Sequence, residues 1–302
     1  MRTHTIWPVR LPTAAVVLVA LALCTTSSAQ TPARTGRSFL WKVQSGQKVV
    51  YLAGSVHALG DDAYPLNATY ENAFQASGTL IEEIDLAEAE SLSAAPMLMA
   101  KGIYADGRTF DTAVSKDTSA LVAGRLKETG IPIELIRPMK PWMVMLMLTA
   151  FEAQKAGLQA ALGLDKYFFD KAKAAGKQIV GLETAESQID RFDKMSETLQ
   201  EQMLRSTIVE LDEQRDGLKE MVGAWKRGDA AALEKLALSS FDQYKDAYTS
   251  LIVERNRNWI PQIEACLTKD SPCFVVVGAA HLVGPDGLLA ILKQKGYRIE
   301  QQ

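Results

Sequence analysis

Tyr51-Leu52-Ala53-Gly54-Ser55-Val56-His57-Ala58-Leu59-Gly60 and Val276-Val277-Gly278-Ala279-Ala280-His281-Leu282-Val283-Gly284 decide the fold. Each closes an apolar run with Gly-x-x-His and a second Gly three residues on. The chain has three histidines, and these two turns hold all but His4. A glycine at the end of a buried strand lets the backbone turn sharply or approach a ligand, because no Cβ intervenes. The histidine then falls on the loop past the strand's carboxyl end, where open α/β sheets bind ligands. Neutral imidazole ligates metals and exchanges protons near neutral pH. Imidazoles from opposite ends of the chain meet only if their strands are near neighbours in one sheet. The plainer alternative is a pair of satisfied histidines that merely close two strands.

Working outward from the first turn, residues 39–43 and 48–54 predict a hairpin around Ser45-Gly46-Gln47, with β-branched and aromatic residues on each arm. A helix is expected from Pro65 to the stop at Gly78. Residues 79–85 follow as a strand whose end carries acid, Glu82-Glu83-Ile84-Asp85. Period-two alternation puts Glu83 and Asp85 on one side and Glu82 on the other. Unpaired carboxylates are rarely buried, so this is either a solvated strand end or a place beside the histidines.

Residues 138–155 predict a Met-rich helix that is too short to span a membrane, with core filling the ordinary use of such a stripe and a pliable lid the alternative. Residues 163–175 and 178–184 then continue a β-α-β rhythm, the strand ending at Glu183. From about 196 to 260 the pattern is helical, broken near Gly228. At its end Arg255 and Trp259 lie four apart, hence on one face. An arginine there can fork onto a carboxylate, or form a surface ion pair. A helix over 285–295 and a last strand over 297–300 close the chain. The sum is an α/β fold, a mixed central sheet carrying the N- and C-terminal strands, with large helical insertions.

Residues 1–29 read differently. Arg2 and Arg10 flank the start, 11–24 is uncharged and apolar, and Ser27-Ser28-Ala29 supplies a small-residue cleavage site. That is the pattern of a secretory signal peptide, leaving 30–302 as one α/β domain and a periplasmic or secreted location. No transmembrane helix is expected in the mature chain, whose apolar runs fall short of the ~20 residues a span needs. It would carry 31 basic against 36 acidic residues, a net charge of −5. Mild acidity without a basic stripe argues against nucleic acid as a partner. Cys266 and Cys273, the only cysteines past the leader, are expected to pair as a disulfide in an exported protein; their spacing fits no usual zinc site.

Taken together, Leu52-Ala53-Gly54-Ser55-Val56-His57, Glu83-Ile84-Asp85, Gly181-Leu182-Glu183-Thr184, Glu254-Arg255-Asn256 and Val277-Gly278-Ala279-Ala280-His281-Leu282 resemble the TraB/GumN (TraB/PrgY/GumN) family over most of the mature length. That family is similar to the Tiki proteases, which use divalent metal, and more distantly to erythromycin esterases and a haem-binding lipoprotein of the ChaN type. The resemblance implies that both Gly-x-x-His turns meet at one site with metallohydrolase chemistry. It names no substrate, because family members share none.

The leading expectation is therefore an exported metal-dependent hydrolase, a peptidase in the narrowest version, acting on a peptide or small molecule. His57 and His281 would bind a divalent metal ion together with Glu83, which doubles as general base. Arg255 would steady a carboxylate or oxyanion, with Asp85, Glu183 and Asn256 supporting these groups. A metal-free variant would use His57 as the base with Glu83 beside it. The competing class is a non-catalytic binding protein holding a ligand or haem on one of the histidines. Neither a Gly-x-Ser-x-Gly elbow nor a phosphate-binding glycine loop is present.

Overall fold

The expected hairpin forms as β1 (Leu40–Ser45) and β2 (Lys48–Ser55), turning at Gly46, whose φ of 58° is left-handed. The computed structural model describes residues 36–91, 94–213 and 216–302. The stretch read as a signal peptide lies outside the described residues.

Four further strands complete the sheet: β3 (Thr79–Glu82), β4 (Gln178–Gly181), β5 (Cys273–Gly278) and β6 (Arg298–Gln301). Their order is β4-β3-β5-β2-β1-β6. β4, β3, β5 and β2 pair in parallel, whereas β1 is antiparallel to both β2 and β6. The strands bearing the two Gly-x-x-His turns are thus hydrogen-bonded neighbours, in a register that sets Ser55 beside Gly278. β3 lies on the other side of β5, with Glu82 opposite Val276. Three adjacent parallel strands therefore end side by side, and His57, Glu83 and His281 leave from those ends. β5 is buried along its whole length, as expected of a near-continuous apolar run inside a parallel sheet.

One face of the sheet is closed by an aromatic layer. Phe168, from the helix Leu164–Ala174, sits 4.6 Å from Phe274 and 5.1 Å from Phe74, ring centre to ring centre. Leu164, Phe168 and Ala172 recur at intervals of four on that helix and are fully buried. Glycine 54 is required by this core: a Cβ there would stand 2.3 Å from the Phe39 ring. Its carbonyl accepts the Trp225 indole N–H at 2.7 Å.

The large insertions are helical, as expected. The Met-rich helix, Pro141–Lys155, packs Val144, Met145 and Leu148 against Phe110, Val122, Leu126, Leu204 and Ile208 in a second hydrophobic core. Core filling, the ordinary use of such a stripe, is what it does. The 196–260 region is more broken than the pattern suggested. Gly228 breaks it at φ 64°, and further interruptions fall at Ser239–Phe241 and in a π-helical turn, Thr249–Val253. That turn runs directly into the helix Glu254–Cys266.

Several boundaries differ from the sequence reading: the strand expected to end at Glu183 stops at Gly181, and the helix expected over 285–295 starts at Leu288. The helix expected from Pro65 begins at Ala68, because Asn67 caps it by accepting from the Thr69 N–H. The strand expected to reach Asp85 ends at Glu82. Cys266 and Cys273 form the expected disulfide, stapling the end of the helix Glu254–Cys266 to the start of β5. The helix that carries Arg255 and Asn256 is thereby tied to the strand that delivers His281. Among the described residues, no helix is long and apolar enough to cross a membrane.

Candidate active site

His57, Glu83 and His281 do converge. They meet over Gly278, whose missing side chain makes the room. A Cβ at Gly278 would stand 3.1 Å from Glu83 Oε1, 3.4 Å from His57 Nε2 and 3.5 Å from the His281 ring. The two motif glycines therefore have different tasks: Gly54 admits a core phenylalanine, while Gly278 keeps the site open. Gly278→Ala is expected to lower activity at least tenfold with little loss of melting temperature, since the added methyl presses on the mouth and leaves the core untouched. An unchanged kcat/KM would show that the space over Gly278 is not used.

The two imidazoles are unlike. His281 is 4% exposed and locked on both nitrogens. Asn256 Nδ2 donates to two carbonyls, His281 O at 3.2 Å and Asp286 O at 2.8 Å, which fixes the orientation of its amide. Asn256 Oδ1 therefore faces His281 Nδ1, 2.8 Å away, and that nitrogen must carry the proton. The lone pair on His281 Nε2 is left to accept from Arg255 Nη1 at 2.9 Å. Burial, with help from the Arg255 charge and against the pull of Glu83, lowers the His281 pKa to about 3. It is a neutral, single-tautomer ring, packed on Trp259 at 4.5 Å.

His57 is the open one, with 64% of its side chain exposed. Its Nδ1 lies 3.4 Å from Asp165 Oδ2, while Ser55 Oγ donates to Asp165 Oδ1 at 2.6 Å. Desolvation opposes its charge, but Asp165 and then Glu83 outweigh that and raise the His57 pKa to about 9. Water at so exposed a ring screens part of this pull. Asp165 and Ser55 were not singled out from the sequence.

Behind the rings, Arg255 gathers the acids. Nη2 donates to Glu83 Oε2 at 2.5 Å and to Glu183 Oε1 at 2.6 Å, Nε donates to Glu183 Oε1 at 2.9 Å, and Nη1 also reaches the Leu251 carbonyl of the π-turn at 3.2 Å. The guanidinium lies over the Trp259 ring at 4.6 Å, as the four-residue spacing implied. Glu83 also accepts from the Gly278 N–H at 2.7 Å and from Gln188 Nε2 at 2.9 Å. Burial alone would raise its pKa; Arg255, both histidines and the Gly278 N–H hold it well below the usual carboxylate range. Glu183, which shares that guanidinium, is shifted upward by burial against the pull of Arg255.

Two expected supporting roles need correction. Asp85 does not back the histidines: past the true strand end it caps the turn Leu86–Ala89, accepting from the Ala87 N–H at 2.9 Å. Glu183 holds Arg255, not a histidine. Asn256 meets a ring nitrogen of His281, and Arg255 a carboxylate oxygen of Glu83.

The neighbouring Glu82 points the opposite way from Glu83, is 2% exposed, and neither carboxyl oxygen has a hydrogen-bond partner among the described residues. Burial, reinforced by Asp165, Asp85 and Glu83, pushes its pKa up to about 9. An acid whose folded pKa is raised destabilises the fold as pH climbs from its free value, 4.5, towards about 9. Glu82→Gln should therefore gain stability over wild type across that interval and little below it. A difference that does not change with pH would contradict this.

The donor set does not fit a ready three-ligand metal centre. Catalytic zinc sites use three protein donors, yet the His281 lone pair is taken by Arg255 and Glu83 Oε2 by Arg255 and Gln188. His57 Nε2 and the second lone pair of Glu83 Oε1 remain. Among the described residues, no group of three or more His, Cys, Asp or Glu side chains is placed to hold a metal ion. Of the two imidazoles only His57 is open to an axial haem contact, since both nitrogens of His281 are taken.

An α/β sheet whose adjacent strand ends bring His57, Glu83 and His281 together, with Arg255 bonded to the last two, defines the class, and comparison with known proteins gives it a family. Residues 39–301 match the TraB/PrgY/gumN family, and the chain belongs to it. It is 25% identical to the uncharacterized protein YbaP of Escherichia coli (strain K12), over 82% of this chain and 89% of that one, and equally to YbaP of Shigella flexneri. It is 21% identical to Metalloprotease TIKI2 of Danio rerio, over 87% of this chain and 60% of that protein. No solved structure matches the chain.

Proposed function

We propose that this protein is an exported hydrolase that cleaves a peptide or a small-molecule ester or amide at the mouth between His57 and Glu83. One observation carries the proposal: a solvent-open imidazole, oriented by a carboxylate, faces a second ionised carboxylate across a glycine. His57 Nε2 is the group positioned to take a proton from an attacking water. Asp165 on Nδ1 keeps the ring turned and stabilises the imidazolium that forms, the task such a carboxylate has in hydrolytic triads. Glu83 Oε1, held ionised by Arg255, supplies an acceptor that orients the same water. Neutral His281 keeps Arg255 in place and adds no charge to the mouth.

The likeness to a metalloprotease favours a second reading, in which a divalent ion lowers the pKa of a bound water. His57 and Glu83 would then be ligands, and His281 would join them only by leaving Arg255. Export is supported by the leader-like first 29 residues together with the disulfide.

The test is cleavage of a mixed peptide and ester library by the purified protein, with and without chelator, beside His57→Ala and Glu83→Gln. Chelator-resistant cleavage lost in both variants supports the first reading, and chelator-sensitive cleavage the second. Wild-type protein that cleaves nothing, or variants that cleave as well as wild type, would defeat both.

A further inference from the structure

Away from the paired turns, a cavity of about 660 Å³ opens between residues 36–38 and the helix Gly217–Lys226. None of the side chains gathered around Gly278 lines it. We propose that this cavity binds a single-chain anionic amphiphile, with the charged head on Arg37 and Arg227 and the hydrocarbon chain on the floor beneath them. The floor is apolar. Ala63, Leu66, Tyr70 and Trp225 are all buried there, and the Tyr70 hydroxyl is sealed from solvent. The Trp225 indole N–H is spent on the Gly54 carbonyl at 2.7 Å. The polar side chains of the wall are spent too. Asn67 accepts from the Thr69 N–H at 3.0 Å and donates to the Gly36 carbonyl at 3.1 Å, while Ser38 Oγ meets Thr69 Oγ1 at 2.6 Å. A sugar or a nucleotide base would leave its polar groups without side-chain partners on such a floor, whereas hydrocarbon needs none.

The rim is cationic. Arg37, Lys226 and Arg227 line it with no carboxylate among the described residues of the lining, in a chain whose net charge is −3. Lys226 is already paired with the exposed Asp62 at 2.6 Å. The two arginines, both exposed, make no ion pair among the described residues. Their backbones are held side by side. The Arg37 carbonyl oxygen lies 2.5 Å from where a Cβ would stand at Gly228, the residue after Arg227, and the left-handed φ of 64° at Gly228 permits that approach. Gln301 Nε2 clamps the same two segments, donating to the Ser38 carbonyl at 3.0 Å and to the Gly228 carbonyl at 2.6 Å. Arg227 Nη1 reaches over the cavity wall, 3.2 Å from where a Cβ would stand at Gly223. Guanidinium groups so placed can fork onto a carboxylate or a similar head. The volume is that of a site enclosing one small molecule.

Calorimetric titration of the purified protein with decanoate, below its micelle concentration, tests this. One equivalent is expected to bind. Decanol, which lacks the charge, and acetate, which lacks the chain, should each bind at least tenfold more weakly. Arg37→Gln/Arg227→Gln should weaken decanoate at least tenfold, and Gly223→Leu, which fills the cavity, should abolish binding. Both arginines are exposed, so the double variant decides even if Gly223→Leu fails to fold. Wild type that does not bind decanoate, decanol that binds as tightly, or a double variant that binds as wild type does would each overturn the proposal. Co-sedimentation with phosphatidylglycerol vesicles in the absence of decanoate binding would overturn it too, marking a charged surface in place of a cavity. His57→Ala should bind decanoate normally; loss of binding there would put the probe in the active site and equally sink the proposal. None of these readouts needs the protein to hydrolyse anything, so this site and the proposed function can fail separately.

Discussion

Arg255→Met should cost the fold about 3–5 kcal/mol at neutral pH, the range for removing one partner from a buried ion pair. The arginine is 7% exposed and its two acids are nearly as enclosed, so solvent cannot replace what it provides. The loss should be pH-dependent with a definite sign. Glu83 is held below its ordinary pKa, so its bond to Arg255 adds stability in full above about 4.5 and loses it as pH falls through the lower folded value. The variant lacks that contribution, so the gap between the two proteins should be widest near neutrality and narrow in acid. Adding Glu183→Gln should recover part of the loss, because one of the two stranded carboxylates is then gone. Denaturant titrations at several pH values measure all three proteins. A deficit under 1 kcal/mol at neutral pH, or one that widens in acid, would show that Arg255 does not carry the charge balance of the site.

His57→Ala should lower kcat by roughly 10²–10⁴-fold, the usual worth of a positioned acid–base group. Stability should change little, since the ring is mostly exposed. The pH dependence follows from the raised pKa. His57 acts as a base only when neutral, so the rate should climb with pH through a limb displaced above the free value of 6.5 towards about 9. Stability runs the other way: the charged His57–Asp165 pair contributes in full below about 6.5 and loses its contribution as pH rises through about 9. Asp165→Asn should move the rate limb down by a unit or more, while Ser55→Ala, one bond further back, should move it less. If Asp165→Asn left the limb in place, Asp165 would be a mere neighbour of His57.

The histidines were legible because one local pattern occurs twice, and because parallel pairing of β2 with β5 turns that repetition into adjacency. Arg255 and Asn256 were legible through the Glu254-Arg255-Asn256 stretch and its family resemblance. Asp165 was not, for a physical reason: it lies 110 residues from Ser55 in the first turn of a helix, where an acid is ordinary because of the helix dipole. Gln188 is equally inconspicuous on the helix Ala185–Asp193. Asp85 was misplaced because strand alternation was carried three residues beyond the true end of β3, where a cap takes over. The partnerless carboxyl of Glu82 has no local signature at all. Burial of that kind is a property of what packs above the strand, here the helix Leu164–Ala174, and not of the strand itself.

Imidazole nitrogen NMR on the ¹⁵N-histidine-labelled protein, followed from acid to alkaline pH, bears most directly on the central claim that two unlike rings share one charge-locked site. One ring, assigned to His281 by its loss in His281→Asn, should stay neutral with the proton on Nδ1 throughout and never titrate near 6.5. The other, His57, should titrate above 6.5, and Glu83→Gln should disturb the signals of both. Two rings that each titrate independently close to 6.5, indifferent to Glu83, would contradict the account.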